Sequence, residues 1–144
     1  MKKKHFNIEI NASKEKVWDT LWNDTTFRQW TAVFGPDSHA VSDWKEGSTI
    51  RFVDNKGNGM HSVIDKNSLH QQMSFKHLGE IKDGIESESD WAGAMEEYFL
   101  TEKNGLTQLT IKMDISPEFE DFFSETFPKA IQIVKEISEK SYLQ

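Results

Sequence analysis

The stretch from Ser116 to Lys140, SPEFEDFFSETFPKAIQIVKEISEK, constrains this chain more than any other. Phe119, Phe123, Phe127, Ala130, Val134 and Ile137 recur there at helical intervals, so they share one face of a helix. Phe122, Ile131 and Ile133 widen that face beyond a surface seam and predict deep burial. Ser116 is placed to accept a bond from an unpaired backbone N–H, and Pro117 suits the first helical position. Glu118, Glu120 and Asp121 lie at the positive end of the helix dipole, Lys135 and Lys140 at the negative end. Pro128 offers no N–H to the carbonyl of Ser124, which predicts a kink or a break into two helices. Four phenylalanines precede that proline, and the residues after it are aliphatic.

A helix this apolar needs a partner surface, and upstream the pattern is mostly that of strands. In Lys4 to Asn11, Phe6, Ile8 and Ile10 alternate with His5, Asn7 and Glu9, as in a half-buried strand. Ser13 caps a short helix whose apolar face is Val17, Trp18, Leu21 and Trp22. A second short helix covers Thr26 to Thr31. Strands are expected over His39 to Trp44, Thr49 to Asp54, Met60 to Lys66 and Gln71 to Leu78, separated by turn residues. Residues 79 to 93 are polar and acidic and read as a long loop anchored by Ile81, Ile85 and Trp91. Met95 to Glu102 and Leu106 to Ile115 form a hairpin across Asn104-Gly105, a favoured two-residue turn. The order predicts an α+β fold: an antiparallel meander of six to seven strands, two short helices after the first strand, and one long terminal helix covering the sheet.

At 144 residues the chain is expected to form a single domain with a real core. It has no cysteine, which excludes disulfides and thiolate metal sites and fits a cytoplasmic protein. Acids outnumber bases by 24 to 17, and the net charge of -7 opposes binding to nucleic acid or anionic membranes. No apolar run approaches the ~20 residues of a membrane span. The basic start, MKKKHFNIEI, lacks the apolar region of a secretory signal.

Several motifs carry a resemblance to a known family. They are Ile10-Asn11-Ala12-Ser13-Lys14-Glu15-Lys16-Val17-Trp18 at the first strand and helix, Trp30 closing the second helix, and Gly47 before Arg51-Phe52. Phe75-Lys76-His77-Leu78-Gly79, Trp91-Ala92-Gly93-Ala94, Tyr98-Phe99-Leu100 and Gly105 before Thr107-Gln108-Leu109-Thr110 follow in order. In this order they resemble the START/Bet v 1-like superfamily, and within it single-domain proteins similar to the C-terminal domain of the Hsp90 ATPase activator Aha1. The resemblance implies a helix-grip fold, a sheet folded round a C-terminal helix, with a cavity for a small apolar or amphipathic molecule. It implies binding more than catalysis. No stretch matches the Asn/Trp/His motif of the eukaryotic activator's separate N-terminal domain, which weighs against a co-chaperone role.

The expected cavity lining is aromatic: Trp30, Phe34, Trp44, Phe75 and Tyr98, facing Phe119, Phe122, Phe123 and Phe127. The polar residues that can enter it are Arg51, His61, His77, Glu97 and Tyr98. Arg51 alternates with Ile50 and Phe52, which points it to solvent; turned inward, its forked donors would hold a carboxylate. Alternation does not decide the face of His61. The five histidines have no ligand spacing, so neither metal nor cofactor is expected. Glu96-Glu97 and Glu86/Glu88 read as a strand edge and a solvated loop, and no catalytic set is singled out. Three functions remain: a ligand-binding protein, a protein-interaction module with a closed cavity, and an enzyme of the cyclase or hydrolase kind. The last needs a deep polar group with a shifted pKa.

Overall fold

The computed structural model describes residues 1–140. The elements run β1 (Lys2–Ile10), α1 (Lys14–Trp22), α2 (Asp24–Thr31), β2 (His39–Val41), β3 (Thr49–Val53), β4 (Gly59–Ser68), β5 (Gln72–Lys82), β6 (Ile85–Glu86), β7 (Met95–Lys103) and β8 (Leu106–Ile115). A 3-10 turn over Pro117–Phe119 leads into α3 (Glu120–Lys140). The sheet is antiparallel, in the order β1-β8-β7-β5-β4-β3-β2, with β6 paired to β5 and with β1 and β2 at its open ends. This is the expected α+β architecture.

Local chemistry explains most boundaries. The Ser13 hydroxyl accepts from Lys16 N at 3.2 Å and starts α1. Asn23 ends α1 and caps α2 through Thr25 N. Asn104 and Gly105 both take positive φ, 56° and 80°, which a tight hairpin with the twist of its strands requires. Two register shifts in β4, at His61/Ser62 and Ile64/Lys66, bend the sheet beside β5.

Four expectations are corrected. Residues 79 to 93 do not form one long loop: β5 continues to Lys82, and Ile85–Glu86 pairs back onto it. Gly79 makes this possible, because a Cβ there would lie 1.8 Å from the carbonyl oxygen of Ser87. Ile81 is buried as expected, whereas Ile85 is exposed and anchors nothing. The strand at His39 stops at Val41, and Trp44 sits beyond it with φ 66°. At the terminal helix the Ser116 side chain makes no capping bond, and its hydroxyl turns to Glu118 Oε1 at 3.4 Å. Finally, α3 does not break into two helices: it continues through Pro128, which faces solvent, where the loss of one N–H is least costly.

Burial along α3 is graded. Phe127, Ala130, Ile131, Val134 and Ser138 are buried, whereas Phe122 in the first turn is 46% exposed and Phe119, in the 3-10 turn just before the helix, is 39% exposed. The helix is tied to β1 and α1. Phe127 stacks on Phe6 at 5.1 Å, Lys135 Nζ donates to Glu9 O at 2.9 Å, and the Ser138 hydroxyl donates to Thr20 Oγ1 at 3.0 Å. The middle of the sheet is therefore not covered by α3 alone. Trp22, the last residue of α1, packs edge-on against Tyr98 at 4.9 Å and Phe75 at 5.5 Å.

Candidate functional site

A cavity of about 470 Å³ opens where Trp22 meets α2, the α2–β2 connection, the β3–β4 turn and the first half of α3. Each wall has a local cause. On α2, Phe27 and Trp30 follow the helical period, and Trp30 Nε1 donates to Leu21 O at 3.1 Å, which fixes the indole. Phe34 leaves α2 and meets Phe127 at 5.1 Å and Phe123 at 6.1 Å. At the far rim, Asp54 Oδ1 accepts from the N–H groups of Lys56 and Asn58, at 2.8 and 3.0 Å. The Asn58 and Lys56 bonds hold this carboxyl below the ordinary carboxylate range. That turn is clasped to the β5–β6 turn by Gly84 N to Gly57 O at 2.9 Å and Asp83 N to Asn58 Oδ1 at 3.0 Å.

The sheet supplies the polar floor. Glu96 and Tyr98 are two apart on β7 and share the inner face, as do Phe75 and His77 on β5. The Tyr98 hydroxyl donates to Glu96 Oε2. His77 Nε2 lies 2.9 Å from Glu96 Oε1, and His77 Nδ1 lies 2.6 Å from the Ser62 hydroxyl. Four residues thus form one chain, Ser62–His77–Glu96–Tyr98. Its cavity end is Glu96, whose side chain keeps 14% exposure, and Tyr98. Burial, reinforced by the Glu96 charge and hydrogen bond, pushes the Tyr98 phenol well above its usual pKa, so it stays protonated and donating.

Of the residues expected in the lining, Trp30, Phe34, Phe75, Tyr98, Phe122, Phe123 and Phe127 border the cavity. His77 does not line it and reaches it only through Glu96. The others lie elsewhere. Trp44 packs on Trp22 at 5.8 Å and Phe75 at 6.4 Å without lining the space. Phe119 points out at the start of the helix, against Phe123 at 6.3 Å. Arg51 and His61 are cross-strand partners on the outer face. There Arg51 Nη2 binds Glu86 Oε2 at 2.7 Å, and His61 Nε2 lies 2.7 Å from Ser87 O. Glu97 is also outside, accepting from the Ser74 hydroxyl at 3.1 Å.

Sequence reasoning missed Trp22, Phe27, Phe52, Met60 and Glu96 in the lining. The signal for Glu96 was available, since alternation pairs it with Tyr98 and sends Glu97 to the other face. The Ser–His–Glu order invites a hydrolase reading, but the geometry opposes it. Ser62 is 1% exposed and does not line the cavity, so its hydroxyl cannot reach a bound carbonyl. The residue presented to a ligand is the acid. Among the described residues, no group of three His, Asp or Glu side chains could hold a metal ion, and no helix is long and apolar enough to cross a membrane.

An antiparallel sheet that grips a C-terminal helix, with an aromatic cavity opening at their junction, defines a helix-grip protein. The chain belongs to the Activator of Hsp90 ATPase homolog 1-like family, whose profile matches residues 11–132. Among solved structures it is similar to the Aha1 dimer from Colwellia psychrerythraea, at 20% identity and TM-score 0.75 over 99% of both chains. It is also similar to protein MLL2253 from Mesorhizobium loti, at 11% identity and TM-score 0.76 over 99% of this chain and 100% of that one. CalU16 from Micromonospora echinospora aligns at 12% identity and TM-score 0.68 over 96% of this chain and 76% of that one. These likenesses show the fold. Comparison with curated protein sequences gives no match.

Proposed function

We propose that this protein binds a small apolar or amphipathic molecule in the cavity bounded by Trp30, Tyr98, Phe123 and Phe127. One observation carries the reading: about 470 Å³ of space remains at the meeting of α2, α3 and the sheet, walled largely by aromatic rings, with the Glu96 carboxylate on its floor. That combination of apolar walls and few polar groups is the usual form of a ligand site. Native mass spectrometry of freshly purified protein tests it. A small-molecule adduct that is lost in Phe123→Trp, which fills the opening, supports the reading. Two results together defeat it: a bare mass, and no thermal shift across a library of amphipathic compounds.

A second reading draws on the exposed Phe119 and Phe122 and on the Colwellia protein, which is described as a dimer. In it, this aromatic surface docks a second copy of the chain. Sedimentation at increasing concentration decides it: a monomer throughout eliminates self-association.

A further inference from the structure

We propose that the cavity selects a cationic amphiphile, taking an ammonium head at Glu96 and laying the apolar body against the aromatic walls. The inference rests on the ligand-binding reading above and names the chemical class of the ligand.

The hydrogen-bond chain behind Glu96 sets its charge. Ser62, buried beside His77, has a hydroxyl proton to give and finds Nδ1 at 2.6 Å. With the Ser62 hydroxyl donating to the Nδ1 lone pair, the imidazole carries its one hydrogen on Nε2 and donates it to Glu96 Oε1 at 2.9 Å. This assignment satisfies every group with a neutral ring. Tyr98, the other partner, is a neutral phenol donating to Oε2. In this arrangement both oxygens of the Glu96 carboxylate accept from neutral donors, with little water to screen them. A carboxylate in such surroundings gains most from a cation.

The charged groups of the lining agree. Asp37 and Asp54 add two carboxylates near the rim, against one ammonium, Lys56, and the imidazole of His39. The local field thus favours cations and repels a ligand carboxylate. Trp22, Trp30 and Phe52 line the cavity with aromatic surface, which accommodates an apolar body and attracts a desolvated ammonium that meets a ring face. Arg51, the side chain suited to hold a ligand carboxylate, lies on the outer face with Glu86.

Isothermal titration with three probes of one shape tests this: 2-naphthylmethylammonium, 2-naphthylmethanol and 2-naphthoate. The ammonium is expected to bind about tenfold or more tighter than the alcohol, a difference of ~1.4 kcal/mol or more, with the carboxylate weakest. Glu96→Gln is expected to bring the ammonium to the level of the alcohol. Equal affinities, or a preference for the carboxylate, overturn the charge selection and leave the cavity reading standing. Failure of all three probes to bind overturns both. The ranking on the unaltered protein decides the matter even if the variant does not fold.

Discussion

His77 Nε2 and Glu96 Oε1 are 2.9 Å apart across neighbouring strands, and the second oxygen of the same carboxylate takes the Tyr98 hydroxyl. One side chain thus satisfies two buried donors. Glu96→Ala should cost roughly 2–4 kcal/mol, because both donors lose their acceptor. Tyr98→Phe removes one donor and keeps the ring, so it should cost only about 1 kcal/mol. Urea unfolding measures both. Equal losses would show that Glu96 is satisfied by solvent and not by this pair.

The phenylalanines that lead into and begin α3 look alike in sequence but not in burial. Phe119→Ala, at an exposed ring, should change stability by no more than about 0.5 kcal/mol. Phe127→Ala should cost about 3–5 kcal/mol, since the ring is 2% exposed and stacked on Phe6. Phe123→Ala should fall between them. A flat series in thermal melts would contradict the graded burial.

Pro128 lies on the solvent side of an unbroken helix. Replacing it with alanine restores one backbone bond to Ser124 and should stabilise the protein by about 1–3 kcal/mol. A lower melting temperature would mean instead that the proline sets the angle at which Phe123 and Phe127 meet Phe34.

Glu139 links α3 to the β1–α1 connection. The Lys135 side chain, and then the Asn11 N–H, hold its carboxyl below the ordinary value of 4.5. A depressed folded pKa gives stability that is present above the ordinary value and lost as pH falls through the folded one. Glu139→Gln should therefore flatten the fall in melting temperature as the pH drops below the ordinary value of 4.5 and leave the neutral side of the curve in shape. An unchanged acid limb would remove Glu139 from the account.

Periodicity was enough for the architecture: alternation in β1, β3 and β8 and the stripe on α3 all point one way. The site was less legible, for physical reasons that differ by residue. Which side of the chain Glu96 and Glu97 take follows from alternation alone once Tyr98 is placed inside. The face of His61 does not, because the register shift beside Ser62 re-phases β4 against β5. Helical spacing puts Trp22 on the apolar face of α1. Its place at the centre of the aromatic cluster depends on how α1 ends against β5 and β7, a contact between segments far apart in sequence. Gly79 carried a hint that went unread, since a glycine inside a strand often marks a close backbone approach.

The sheet that forms this cavity is open, and its two ends differ from ordinary unpaired strands. At one end β1 begins with Lys2, Lys3 and Lys4, whose ammonium groups are held by Asp114 and Glu120. At the other, β2 is only three residues long. A second copy of the chain or a foreign peptide would find too little backbone at β2, and charge in its way at β1, to add itself as another strand. An incompletely filled interior tends to make a protein prone to transient opening. Here the edges that such opening would expose are poor templates for aggregation.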